Sequence, residues 1–466
     1  MTPDEMREFF DPGTITAQRM RVVEKNAESL GVTPLMMMES AGRALAAAVL
    51  ESHPESVLIL CGRGNNGGDG MVAARHLQRE LRTDVISIDQ EPRSHLNTLQ
   101  LGILRSCAVG LHQVRCPSDV AALARLFESA DVILDALLGT GSEGEPKEPI
   151  PTCITRANTA GVPIIAADIP TAGIRADRII AFHRPKKAGA EVVDIGIPLE
   201  AECFTGPGEL TLIPRKPSDA RKGAGGEVLV IGGGPYQGAP YLTGMAALRS
   251  GADIVRIASP IYLPQPDLIH ERMTGLLIQE EDIPRLITLA KNADAVVCGN
   301  GLGIESHAVV REVAPYCRKL VVDADALRKP LPEGKETIYT PHAGEFLRVT
   351  GKKVPEDLGA RGRLVRKAAS RGTILLKGEV DVISDGTRLR FNRTGCPGMT
   401  VGGTGDVLAG LTAALFCRIP AFEAACVAAY ANGWAGIQAE GKQGDGMIAS
   451  DLLTWLPSIL FQEGEG

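Results

Sequence analysis

Aromatic residues make up only 4% of the chain, while glycine occurs 53 times in 466 residues. Such a composition, rich in Ala, Val, Leu and Ile, fits α/β layers in which helices approach a sheet closely. Charge of positive sign is in short supply. Lys and Arg number 49 against 56 Asp and Glu, a formal charge of −7. This argues against a nucleic-acid or anionic-membrane surface over the whole chain. No apolar run is long enough to span a bilayer. Met1-Thr2-Pro3-Asp4-Glu5 is acidic and lacks a signal-peptide pattern. The ten cysteines are scattered, with no CxxC pair. A reducing cytoplasm is the expected setting. The phosphate-loop pattern GxxxxGK[ST] is missing too, which excludes a P-loop NTPase. There is no short-period repeat and no low-complexity tract.

What remains is a strand-and-helix rhythm, and it occurs twice. Ile15–Leu30 and Leu35–Val49 carry helical apolar spacing. Short apolar runs follow at Ser56–Cys61, Asp84–Ile88, Val132–Leu134 and Pro163–Ala167, with Ala190–Gly196 and Gly208–Leu212 as final strands. Each of the four is closed by glycine, proline or an acid, as in a parallel sheet. Pro214–Gly223 is charged, holds two prolines and reads as a linker. A second series runs through Glu227–Gly232, Ile254–Ala258, Ala295–Cys298, Leu320–Val322, Thr337–Tyr339 and Thr373–Leu376. A hairpin around Asp385-Gly386 and a helix over Phe422–Glu440 complete it. The expectation is two α/β domains, 1–213 and 218–466.

The most informative stretch is Gly398-Met399-Thr400-Val401-Gly402-Gly403-Thr404-Gly405-Asp406, running into the apolar segment Val407–Leu411. Small residues before a helix start leave backbone N–H groups bare, an anion site reinforced by the helix dipole. Asp406 at that turn can act as a base beside the phosphate it holds. The bland alternative is a glycine-rich connection with Asp406 as helix cap.

In the first half, Cys61–Gly70 contains GxGxxG after a strand and before an expected helix Met71–Leu81, with Asp89 placed as a ribose-binding acid. Asn65-Asn66 and Gly67-Gly68-Asp69-Gly70 are rarer continuations. Two further strand ends, Asp135–Gly141 and Asp168-Ile169-Pro170-Thr171, belong to the same sheet edge, so Asn66, Asp135, Asp168 and Thr171 can converge there. Their oxygens are hard ligands suited to an alkali or alkaline-earth cation.

The signatures GRGNNGGDG, DALLGTG and DIP-T resemble the epimerase domain of NAD(P)H-hydrate repair enzymes. The resemblance implies a Rossmann-like three-layer fold that interconverts R and S hydrates of NADH and NADPH. By it, Asn65, Asn66, Gly67, Gly68 and Asp69 hold the dinucleotide's phosphate region. Gly139, Thr140, Gly141, Ser142, Glu143, Gly144 and Glu145 line the substrate, and Asp168 serves as acid/base. Asn66, Asp135 and Thr171 bind potassium. The chain departs from the pattern at Thr171, usually Ser, at Ser40, usually Asn, and in the short loop 172–177.

In the second half, KG, VLVIGGG, YQGAP, GNGLG, VVDADAL, TPHAGEF, LLKG and GGTGD resemble the ADP- or ATP-dependent NAD(P)H-hydrate dehydratase domain, in family order. That domain has a ribokinase-like α/β fold. By this resemblance Ala239, Gly303, His342 and Asp406 contact the hydrated nucleotide. Lys377, Gly378, Glu379, Val380, Asp381 and Gly405 contact the adenine nucleotide. Asp406 takes the proton of the C6 hydroxyl as it is phosphorylated, with Mg2+ on the phosphates. ADP or ATP is the co-substrate, and a homo-oligomer is the expected assembly. Two rivals stay open: a ribokinase-type kinase of a small vitamin precursor, and a first domain that only binds nucleotide as a scaffold.

Overall fold

The computed structural model describes residues 1–141 and 144–461. It divides into two compact units, Pro12–Pro198 and a second composed of Met1–Asp11 with Leu199–Gly466. No helix among the described residues is long and apolar enough to cross a membrane.

In the first unit the strands are β1 (Ser56–Cys61), β2 (Arg82–Ile88), β3 (Gly110–Val114), β4 (Val132–Ala136), β5 (Ile164–Ala167), β6 (Arg178–Phe182) and β7 (Glu191–Val193). They lie in the order β3-β2-β1-β4-β5-β6-β7. Every pair is parallel. All six residues of β1 are buried, which is why Val57-Leu58-Ile59-Leu60 is a continuous apolar run and does not alternate. Chain order reverses between β1 and β4, so the loops after these two strands flank a crevice at the carboxyl edge. The sequence rhythm anticipated neither β3 nor β6. Both are short, and β3 carries the polar residues His112 and Gln113.

The second unit holds β8 (Glu227–Ile231), β9 (Ile254–Ser259), β10 (Ile269–Arg272), β11 (Ala295–Cys298), β12 (Lys319–Val322), β13 (Glu336–Tyr339), β14 (Thr373–Leu376), β15 (Asp381–Ser384) and β16 (Leu389–Asn392). Their order is β10-β9-β8-β11-β12-β13-β14-β15-β16. Pairing is parallel as far as β14 and antiparallel across the last two strands. Alternate residues feed two cores. Val228, Val230 and Val297 pack with Leu411, Phe416 and Leu452 on one face. Leu229, Ile231 and Val296 pack with Leu286, Phe346 and Phe391 on the other. Here too the order reverses, between β8 and β11.

The expected boundary near 213–218 is displaced. Gly208–Leu212 is not a strand; it lies in a 3-10 turn, Pro207–Leu212, of the second unit. The first eleven residues also belong to that unit, for a physical reason. Met6 and Phe9 are buried in its core, and Phe9 meets Phe391 edge to face at 5.3 Å. Each such side chain contributes about 1.5–3 kcal/mol of burial. Asp11 closes the segment with two hydrogen bonds to the Arg390 guanidinium, at 2.6 and 3.0 Å. Arg390 is only 1% exposed, so its charge depends on that carboxylate.

Candidate active sites

In the first unit the glycine motif is not a loop before a helix; it is the first turns of one. The helix runs Asn65–Leu77, and no side chain caps its start at Gly64. Its leading N–H groups therefore face outward at the positive end of the dipole, as an anion site requires. Close approach explains Gly62: a Cβ there would stand 1.7 Å from the Leu137 carbonyl oxygen. Asn66, Gly67, Gly68 and Asp69 are buried and Asn65 is exposed. Asp89 is not free for a ribose, because Arg115 Nε holds its carboxylate at 2.6 Å.

The register of β4 between β1 and β5 sets Asp135 opposite Leu60 and Ala166. Its fully buried carboxylate accepts from Thr171 N and Thr171 Oγ1, both at 2.8 Å, and from Leu137 N at 3.2 Å. Thr171 Oγ1 in turn accepts from Leu138 N at 3.1 Å. Gly139 rests against the Asn66 side chain. The 137–139 turn thus ties together the three residues expected to hold potassium. Burial raises the Asp135 pKa, and only neutral Thr171 and Leu137 donors oppose it. The Asn66 amide nitrogen is buried without a partner. An uncompensated carboxylate beside a hydroxyl oxygen suits a cation bound through oxygen, whereas the Asn66 Nδ2 is a donor left open for an acceptor. Thr140 is half-buried, and Gly141, Gly144 and Glu145 are exposed. Ser142 and Glu143 lie outside the described residues.

Asp168 follows β5 with φ +63°, a left-handed conformation unusual for a non-glycine residue. Its Oδ1 meets Lys186 Nζ at 2.6 Å. Sequence reasoning missed Lys186 because it missed β6, the strand that leads to it. Asp69 is pushed well above the usual carboxylate range, first by burial and then by the nearby Asp168 and Glu24.

In the second unit the 398–406 stretch resolves as a helix start. Gly403, at φ +100°, is the N-cap of helix Thr404–Arg418, so Asp406 is the third residue of its first turn and not the cap. Asp406 Oδ1 accepts from Asn300 Nδ2 at 2.7 Å, and the same amide reaches Asp323 Oδ2 at 3.0 Å. Asp323 Oδ1 accepts from Lys377 Nζ at 2.8 Å and from Thr340 at 2.9 Å. Lys377 Nζ also lies against Gly405, placing a cation at the anion-binding turn. Burial raises the Asp406 pKa to about 6; the Asn300 hydrogen bond opposes this, and Asp323 adds to it. Lys377 is raised as well, which for an ammonium favours the charged form. Burial disfavours its charge, but Asp323 and Glu345 outweigh that and raise its pKa.

Four strand ends converge. Asn300 follows β11, Asp323 follows β12, Thr340 and His342 follow β13, and Lys377 follows β14. Gly303 N donates to Asp325 at 2.9 Å, and Ala239 opens the helix Ala239–Arg249 beside Gly301. His342 Nδ1 caps helix Ala343–Thr350, accepting from Gly344 N at 3.0 Å and from Glu345 N at 3.3 Å. Its Nε2 stands 3.4 Å from Glu345 Oε1 on an otherwise exposed ring, and burial together with Lys377 lowers its pKa. Asp381 turns inward, accepting from Gly378 N and Asn392 Nδ2 at 3.0 and 2.9 Å, so it shapes the 377–381 turn. Gly378 and Glu379 are exposed and Val380 is half-buried. Asn300, which links both carboxylates, was not singled out from the sequence. Its signal was its place behind Gly299, where a Cβ would meet the Asp323 carbonyl oxygen at 1.9 Å.

Comparison with known proteins follows the same division. The family model described as NAD(P)H-hydrate dehydratase matches residues 228–458. The model described as YjeF-related protein N-terminus matches 34–188. A bifunctional NAD(P)H-hydrate repair enzyme of Methanospirillum hungatei is 52% identical, covering 99% of this chain and 97% of its own. Its counterpart in Pyrobaculum aerophilum is 40% identical over 96% and 98%. Among solved structures, the ADP/ATP-dependent NAD(P)H-hydrate dehydratase of Bacillus subtilis, co-crystallized with ATP/Mg2+, is 27% identical with a TM-score of 0.48. It covers 55% of this chain and 97% of its own. With two site-bearing units matched in order and near full-length relatives above 30% identity, the chain belongs to the bifunctional NAD(P)H-hydrate repair enzymes.

Proposed function

We propose that the first unit epimerises R and S hydrates of NADH and NADPH, and that the second dehydrates the S form to NAD(P)H at the expense of ADP or ATP. The carrying observation is Asp406, a carboxylate with a pKa near 6 in the first turn of a glycine-started helix, with Lys377 beside that turn. Hydroxide is a poor leaving group from C6 of the hydrate, and phosphate is a good one. Asp406 takes the hydroxyl proton as the C6 oxygen attacks the terminal phosphoryl group of the nucleotide, whose phosphoanhydride bond breaks to release AMP from ADP or ADP from ATP. The bare N–H groups of the helix start and Lys377 stabilise the charge that develops there. Phosphate then departs with the C6–O electron pair, C5 gives up a proton, and the ring double bond is restored.

Magnesium supplies charge neutralisation on the phosphates when bound. Among the described residues no group of three or more His, Cys, Asp or Glu forms a cage for it, so phosphate oxygens and water are its natural ligands. In the first unit Asn66, Asp135 and Thr171 are the residues to hold potassium, which supplies an anchor for the substrate's phosphates beside the 137–139 turn. Asp168 works there as acid/base.

The deciding experiment follows NADH absorbance from a mixed R and S hydrate with magnesium and either nucleotide in potassium buffer. Full recovery, faster than spontaneous epimerisation, is the expected result. Recovery that stops at the S fraction overturns the epimerase assignment. A stable phosphorylated product without NADH overturns the dehydratase assignment in favour of a small-molecule kinase.

A further inference from the structure

Lys186 is 5% exposed at its side chain, and its partner Asp168 is 11% exposed. A lysine is rarely buried this far unless its charge is used. Its Nζ donates to Asp168 Oδ1 at 2.6 Å and to the Phe182 carbonyl oxygen at 2.8 Å. Phe182 N donates to the same Oδ1 at 3.3 Å. One carboxylate oxygen is thus taken twice. Among the described residues no hydrogen bond engages Oδ2, which leaves that oxygen for a substrate. The backbone is fixed as firmly: Asp168 N donates to the Ile180 carbonyl at 2.8 Å, and φ at +63° is a conformation the surroundings must enforce.

We propose that Lys186 is a positioning residue of the epimerase site, pinning Asp168 Oδ1 so that Oδ2 faces the C6 hydroxyl of the hydrate. This rests on reading Asp168 as the acid/base of that site. Two more carboxyls face the pair, Asp69 from helix Asn65–Leu77 and Glu24 from helix Ala17–Ser29, with Arg21 near Glu24. Burial raises the pKa of both acids, so acids of unlike environment stand together in one site, as proton transfer in both directions needs.

The test compares wild type with Lys186→Met and Lys186→Arg, using purified R hydrate and following conversion to S across pH. Lys186→Met is expected to lose about 100-fold in kcat with KM little changed. Its residual rate should climb with pH, because a carboxyl without its counter-charge needs a higher pH to ionise. Lys186→Arg keeps the charge and should recover most of kcat with the wild-type pH profile. Dehydration of pure S hydrate by the same variants should be unchanged. A Lys186→Met enzyme with wild-type kcat and pH profile overturns the proposal. So does an arginine variant as impaired as the methionine one with no change in profile, which marks a purely structural lysine. If wild type itself fails to convert R hydrate, the epimerase reading falls first, and that outcome is distinct from either.

Discussion

The two units solve one problem with opposite partners. Both put an aspartate at the carboxyl edge of a parallel sheet, beside a helix that starts in glycine and lacks a side-chain cap. In the first unit a lysine is spent directly on the reacting carboxylate, Asp168. In the second the lysine is spent one residue away, on Asp323, and a neutral amide, Asn300, bridges from there to Asp406. A carboxylate held by an amide in a buried place keeps a pKa near 6 and is a base tuned close to neutral pH. Burial lifts Asp406 and its amide partner only moderates the rise, whereas the ammonium beside Asp168 fixes one carboxylate oxygen in place. The lesson is that the surroundings, not the aspartate, set its role.

The sharpest way to break this comparison is Asp406→Asn. Dehydration of pure S hydrate should fall by about 10²–10⁴-fold, while R-to-S conversion, followed by chromatography, stays at wild-type rate. Loss of both would mean the units do not act separately. Next comes Asp11→Ala, which strands the Arg390 guanidinium. The second unit should lose about 3–5 kcal/mol in urea unfolding, and a loss located in the first unit would contradict the division of the chain. Replacing potassium by lithium, or Asp135 by Asn, should lower epimerisation about 10–100-fold and leave S-hydrate dehydration alone. An equal effect on both reactions would remove the cation site from the first unit. The smallest effect expected is a shift in pH. Asp406 must be charged to accept a proton, so dehydration should be lost as pH falls through about 6. Asn300→Ala removes a hydrogen bond to the charged form, so that limb should move upward by about one pH unit. A downward move would refute the role given to Asn300.

Much of this was legible in the chain. β1, β8 and β11 are buried on both faces, so they stand out as unbroken apolar runs such as Val57–Leu60 and Val228–Ile231. The glycine motifs were legible because backbone approach leaves no room for a side chain, as at Gly62 and Gly299. β3 was not, since a short strand with polar residues carries little pattern, and β6 was passed over although Ile179–Phe182 is as apolar as β5. Lys186 went unread with β6, the strand that leads to it, and Asn300 was hidden for a different reason. Its importance is a matter of who stands opposite, Asp406 across 106 residues, and periodicity has no memory that long. The allegiance of Met1–Asp11 was hidden the same way: a short amphipathic turn does not announce which core will bury it.

That last feature bears on how the chain comes together during synthesis. Residues 12–198 form one continuous stretch, so the first unit has all its strands as soon as it leaves the ribosome. The opening segment must wait, because its partner Arg390 lies 379 residues downstream of Asp11. Closing so long a loop costs little more than closing a moderate one, since the entropy grows only as the logarithm of length. It does, however, place Met6 and Phe9 among the last groups to be sheltered. Met6 and Phe9 therefore find their core only once the strand bearing Arg390 and Phe391 has been made, and the latch that Asp11 sets on Arg390 ties the earliest-made residues of the unit to some of its later ones.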